Sequence, residues 1–203
     1  KMFSDTGPLS DRDVALRCGL GTRGKNGSVI NSEIGGMFFI GYMITDVEYE
    51  LWQGEEGKAV YCGECDRCIR ACPNSAISDG KCDYSRCISY ITQKKGALSD
   101  EEYKAIGRQI YGCDVCQRVC PYNKKFKVSE NEYAYPDIEK LLNMTNREFK
   151  EIYGNTAAGW RGKRTLQRNA LAVLGNIGDE KGLDIALKYT KSEYEDLRSA
   201  AQY

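Results

Sequence analysis

Eight of the ten cysteines fall into one interlocked pattern. The first run is Cys62-x-x-Cys65-x-x-Cys68-x-x-x-Cys72-Pro73. The second is Cys87, an interruption, then Cys113-x-x-Cys116-x-x-x-Cys120-Pro121. This is the spacing by which thiolates hold two [4Fe–4S] cubes, three from one run and the fourth crossing from the other. The second run keeps the order of the first, with residues 88–112 inserted after its first ligand. The spacing therefore assigns Cys62, Cys65, Cys68 and Cys120 to one cluster, and Cys87, Cys113, Cys116 and Cys72 to the other. Such a pair of clusters moves electrons one at a time.

Other uses of cysteine explain less. A disulfide framework suits a small secreted domain, and it gives no reason for twin CxxCxxxCP endings. Structural zinc uses CxxC pairs, but it requires neither the triplet nor the proline after each last cysteine. That proline has a fixed φ and no N–H donor, so it turns the chain away just after the ligand. Cys18 and Cys82 lie outside the pattern and read as free thiols. Cys82 is close enough to Cys87 to leave the choice of ligand open there.

A chain of 203 residues holds one or two domains with a real core. It begins at Lys1, and its opening residues read as the middle of a fold, so a fragment of something longer is expected. The longest apolar run, Met37-Phe38-Phe39-Ile40 continuing to Tyr42-Met43-Ile44, is too short to span a bilayer. It reads as a buried strand. Reduced thiolates in iron–sulfur service point to the cytoplasm. There is no histidine, which leaves Asp, Glu, Tyr, Lys or Cys as proton donors within these residues.

Net charge is zero but segregated. From Arg86 to Lys127 nine basic residues face four acidic ones, and from Gly154 to Gly178 there are four basic residues and no acidic one. Such segregation suits a polyanion partner; on charge alone, two solvated faces are the simpler reading.

The expected elements are short. Ser4 to Pro8 is turn chemistry, and Ser10 or Asp11 caps a helix ended by Gly19. A glycine-rich loop follows from Gly21 to Gly27, with strands near 28–31 and 37–44. Ser99 with Glu102 forms a capping box for a helix running to Tyr111, and Thr145 to Glu148 marks another helix start. Thr165 to Ile177 carries apolar residues at helical spacing. Glu180 to Thr190 repeats that pattern and a third start lies at Ser192, the arrangement of a HEAT-like unit.

Taken together the motifs resemble the epoxyqueuosine reductases. The resemblance rests on Ser4-Asp5-Thr6-Gly7-Pro8, Gly19-Leu20-Gly21-x-x-Gly24-Lys25-Asn26 and Phe39-Ile40-Gly41. It continues through Cys87-Ile88-Ser89-Tyr90-Ile91-Thr92 and Tyr111-Gly112-Cys113-Asp114-x-Cys116-Gln117-x-Val119-Cys120-Pro121-x-Asn123. Arg164-x-x-x-Arg168-Asn169-Ala170-Leu171 and Leu174-Gly175-Asn176 complete it. Thr22 stands where the family more often has an aromatic residue.

The resemblance implies an α+β fold: part of a cobalamin-binding catalytic domain (1–56), a ferredoxin-like double-cluster domain (57–127), linker helices (128–155) and a HEAT-like tRNA-binding segment (156–203). It implies reduction of epoxyqueuosine to queuosine in the tRNA anticodon loop, with electrons passing through the two clusters to cobalamin. Asp5 matches the family's proton donor. Gly24, Lys25, Asn26, Val29, Ile40, Ser89, Cys113 and Asp114 match corrin-lining positions. Lys94, Lys95, Arg161, Lys163, Arg164 and Arg168 are the expected tRNA contacts. A cytoplasmic monomer fed by a low-potential ferredoxin or flavodoxin, without a membrane partner, completes the expectation. A corrinoid reductive dehalogenase, a plain two-cluster carrier and a non-catalytic tRNA-binding protein are the competing readings.

Overall fold

The computed structural model describes residues 8–48, 50, 62–78, 80–126, 133 and 135–203. Asp5 and most of its turn lie outside them. In chain order the elements are α1 (Asp11–Arg17), β1 (Thr22–Arg23), β2 (Val29–Ile30), α2 (Arg67–Ala71), β3 (Ile77–Ser78), β4 (Lys81–Cys82), α3 (Ile88–Ile91), α4 (Asp100–Ala105) and α5 (Val115–Arg118). A 3₁₀ turn (Pro121–Asn123) follows, then α6 (Ile138–Asn143), α7 (Asn146–Tyr153), α8 (Ala157–Arg161), α9 (Lys163–Ile177), α10 (Glu180–Leu187) and α11 (Glu195–Gln202). Among the described residues no helix is long and apolar enough to cross a membrane.

Contacts divide the chain into two compact units. One comprises Lys1–Cys82 with Val115–Val128, and the other Asp83–Asp114 with Ser129–Tyr203. The partition cuts through the expected cluster domain: the stretch between the two cysteine runs groups with the C-terminal helices.

The first unit is built from small parts. β1 and β2 pair antiparallel with Thr22 opposite Ile30, and β3 pairs with β4 with Ile77 opposite Cys82. The helix expected after Ser10 forms as α1, and Gly19 follows its end at φ 67°. The strand expected over 37–44 does not form. Phe39, Met43 and Ile44 are exposed there, and among the described residues no neighbouring strand pairs with this segment. A lone extended segment has no ladder to satisfy its backbone, so apolar composition by itself does not make it a strand.

The second unit holds the main core. Its centre is α9, on which every residue from Thr165 to Leu174 is buried. The helix expected here from its apolar spacing forms, and α4, α6, α8, α10 and α11 pack around it. Both capping boxes form, Ser99 with Glu102 and Thr145 with Glu148. The helix after Ser99 ends at Ala105, short of Tyr111, because Gly107 takes φ 56° and breaks the ladder.

Two polar side chains of α9 are fully buried and act as brackets. Asn169 donates to the carbonyls of Thr92 and Ile110 at 2.8 Å each. Arg168 donates to Lys94 O at 2.8 Å, to Gly96 O and to Asn169 Oδ1. Together they close the insertion 92–110 onto the helical core. Asn169→Ala leaves two buried carbonyls unpaired, and a loss of about 2–4 kcal/mol is expected by denaturant unfolding. An exposed control such as Lys181→Ala should stay within about 0.5 kcal/mol of the parent.

Candidate metal centre

Cys62, Cys65, Cys68 and Cys120 line one cavity of about 180 Å³ in the first unit, with Lys25, Asn26, Ile30 and Arg67 completing its wall. These are the four thiols that the spacing groups together. α2 carries Cys68, and α5 leads into Cys120, which precedes the 3₁₀ turn. The two helices pack on each other and so bring residues from both runs to one place. The proline rule holds in the backbone. Cys72 sits at φ −67°, ψ 115° and Cys120 at φ −70°, ψ 125°, the extended region to which a following proline restricts its predecessor.

The residues fit a cluster. Asn26 is 8 % exposed, lines the cavity, and its Nδ2 is the one buried side-chain polar atom without a hydrogen-bond partner among the described residues. A buried N–H donor is costly unless paired, and cluster and cysteinyl sulfurs accept such bonds. Lys25 Nζ donates to Gly63 O at 2.7 Å and fastens the glycine loop over the first ligands. Burial pushes the Cys68 and Cys120 thiols up, and neighbouring cysteines add to this while backbone N–H groups oppose it. Iron binding therefore displaces protons at these sulfurs. No three Cys, Asp or Glu side chains among the described residues stand close enough for a single metal ion; a cubane holds its thiolates further apart than one tetrahedral ion does. No cysteine among them is in a disulfide.

The other four thiols are divided between the units. In the first, Cys72 caps α2 and accepts a bond from Ala76 N at 3.2 Å, and Cys116 lies in α5. In the second, Cys87 is the N-cap of α3 at φ −75°, ψ 118°. Cys113 follows Gly112, whose φ of 69° makes the turn and whose N–H donates to Thr92 Oγ1.

The expected corrin positions are also divided. In the first unit Lys25 and Asn26 line the four-thiol cavity and Val29 is buried. Gly24 is closed in by Ile30 and Asn26, and Ile40 is half-buried. In the second unit Ser89 and Cys113 are half-buried and Asp114 is exposed.

The expected RNA-contacting cations differ widely in availability. Arg168 is not one of them, because it is fully buried and spends its donors on carbonyls. Lys163 donates to Met144 O, Arg164 pairs with Asp196, and Lys94 pairs with Glu102. Tyr90, Gln93, Lys94, Lys95 and Arg161 line one open groove of about 470 Å³, with Lys95 exposed and Arg161 lying over the Trp160 ring.

Sequence reasoning missed the clamp behind the ligands. Asn123 accepts from Gly36 N at 2.6 Å and donates to Gln117 O and Oε1, and Gln117 donates to Ser28 Oγ. Both amides stand inside the second cysteine run or just past its end; their spacing from Cys120 was the available signal.

Comparison with known proteins agrees with this geometry. Residues 61–123 match the model of the 4Fe-4S double cluster binding domain. A Staphylococcus aureus protein named epoxyqueuosine reductase is 38 % identical over all of this chain and 54 % of its own length. The solved structure of epoxyqueuosine reductase from Streptococcus thermophilus superposes with a TM-score of 0.85 at 39 % identity, covering 98 % of this chain and 54 % of that one. A crystal structure of epoxyqueuosine reductase with an epoxyqueuosine-modified tRNA-Tyr stem loop gives 0.80 at 35 % identity, covering 99 % and 55 %. The chain spans about half the length of the curated relatives it matches.

Two outcomes are expected for the reconstituted protein. Cys120→Ala should cut bound iron from roughly eight to roughly four atoms per chain, by iron assay and EPR. Asn26→Leu removes a donor that favours the more negative, reduced state. It should lower one cluster's potential by on the order of 59 mV, a tenfold shift in a one-electron couple, and unchanged potentials for both clusters would refute the Asn26 contact.

Proposed function

Because the chain belongs to the epoxyqueuosine reductase family, we propose that it forms the electron-transfer and substrate-facing half of an enzyme that reduces epoxyqueuosine to queuosine in a tRNA anticodon loop. The observation that carries the reading is the convergence of Cys62, Cys65, Cys68 and Cys120 on one cavity, from both halves of a double-cluster motif. Removing an epoxide oxygen as water takes two electrons and two protons. Clusters supply electrons singly, so an acceptor that stores them is needed.

Cobalamin, when bound, supplies that low-potential two-electron chemistry. Gly24, Lys25, Asn26, Val29, Ile40, Ser89, Cys113 and Asp114 are the positions proposed to line its site, with Lys25 and Asn26 also lining the four-thiol cavity. Asp5 is the proposed proton donor: a carboxyl screened from water has its pKa raised and keeps its proton near neutral pH. The enzyme acts as a cytoplasmic monomer and draws its electrons from a low-potential ferredoxin or flavodoxin.

On the RNA side the groove of Tyr90, Gln93, Lys94, Lys95 and Arg161 is the proposed contact. Its cations hold phosphates, which positions RNA without reading its sequence. Tyr90 is 52 % exposed and offers a ring on which an unstacked loop base can lie. Lys163 and Arg164 are further proposed contacts beyond the groove, and Arg168 supports it from beneath by holding the Lys94 and Gly96 carbonyls.

The test uses the full-length enzyme, reconstituted anaerobically with cobalamin and given epoxyqueuosine tRNA. Nucleoside mass spectrometry should show loss of one oxygen with the parent and none with Asp5→Asn. No conversion by a parent whose clusters and cobalamin are bound and reducible would overturn the assignment. Lys95→Ala and Arg161→Ala should each weaken tRNA binding and flatten the plot of log affinity against log salt by roughly 0.7.

A further inference from the structure

The four-thiol cavity has a second face. Cys120 and Pro121 form part of its wall and also part of a neighbouring groove of about 530 Å³ on the same unit, and Arg67 lines both. The groove's remaining charged residues are Arg70, Arg118 and Lys124, all exposed and all basic. Arg70 is fixed by an ion pair to Asp66 at 2.9 Å one helical turn away, and Asp66 is not itself a lining residue. A single cysteine and its proline thus stand between a set of four cations and the ligand cavity.

We propose that this groove is the docking surface for the electron donor, a small acidic one-electron carrier protein. The inference rests on the iron–sulfur reading of the cavity, and it places electron entry at the cluster held by Cys62, Cys65, Cys68 and Cys120. Electronic coupling decays steeply with distance, so a donor must be seated against the ligand shell, and here that shell is one residue thick. The four cations attract a carrier with acidic residues around its redox group and orient it on encounter. In each docking event the carrier is oxidised by one electron and the cluster reduced by one; no bond forms or breaks and no proton is transferred. Two events supply the two electrons that the epoxide consumes. The other four thiols are left for onward transfer, since Cys113 and Asp114 are among the positions expected beside cobalamin. RNA is the other polyanion that four cations attract. The shared Cys120–Pro121 wall favours the carrier, because a phosphate held there gains nothing from closeness to a ligand.

Reduced flavodoxin serves as the probe, with the full-length, cluster-loaded enzyme. Arg70→Glu and Lys124→Glu should each slow cluster reduction by flavodoxin at least tenfold at low ionic strength. They should also weaken direct binding of oxidised flavodoxin and flatten the dependence of the rate on salt. Iron content, reduction by dithionite and tRNA affinity should stay as in the parent. Arg118→Glu should behave likewise; since Arg70 and Arg118 each lie between two ligands, Lys124→Glu, outside both cysteine runs, separates an effect on docking from one on the cluster. Unchanged flavodoxin rates and binding in both variants overturn the proposal, and so does a fall in tRNA affinity with unchanged flavodoxin rates, which would make the groove an RNA surface. The donor arm needs no tRNA turnover. A parent that accepts electrons from flavodoxin through this groove yet leaves epoxyqueuosine intact would uphold the docking surface and sink the substrate assignment.

Discussion

Asn123 joins two stretches of chain far apart in sequence, and the ligand arrangement of the first unit depends on that junction. Its side-chain oxygen accepts from Gly36 N and its amide nitrogen donates to Gln117, which in turn reaches Ser28. The glycine loop and the Cys120 segment are thereby held together, with Ile30 and Cys120 as the small buried contact behind them. Gly35 has to be glycine for this approach. Its φ is 84°, and a Cβ there would meet Asn123 Oδ1 at 2.5 Å and Tyr122 O at 2.6 Å. Each such hydrogen bond contributes only about 1 kcal/mol net. The clamp therefore sets geometry, and the metal–sulfur bonds supply most of the energy.

What could be read from the sequence was what chemistry holds to a fixed spacing. Cluster ligands tolerate little variation along the chain, and the predicted set of four does meet at one cavity. Capping boxes are equally local, and both formed. Features decided by distant partners were not readable. Met37 to Ile44 has the composition of a strand and no neighbour to pair with among the described residues. That Lys25 and Asn26 would line the cavity of the four thiols was not legible from their glycine-rich motif either.

Arg168 shows the same limit for charge. An arginine in a basic stretch reads as a phosphate contact until its burial is known. The hint was present: Arg168 and Asn169 lie between Leu166 and Leu171 on a helix with apolar residues all around it. Burial lowers the pKa of Arg168, while Tyr103, Asp196 and Glu102 counter the shift, and the carbonyls it holds stand in for a carboxylate partner. Of the six cations expected at the RNA, Lys95 is exposed, while Arg161 is half-buried over Trp160 and donates to Gln93 Oε1.

The unequal cores of the two units separate what the side chains hold together from what the metal must hold. The helical unit has a continuous apolar interior and its own helix caps, so its fold is specified without iron. The ligand unit has two-residue strands, helices of four to seven residues and a buried cluster of two side chains. The helical unit thus offers Cys87 and Cys113 from a body held by its own core. The ligand unit, with so little apolar interior, relies on metal–thiolate bonds for rigidity that its side chains do not provide.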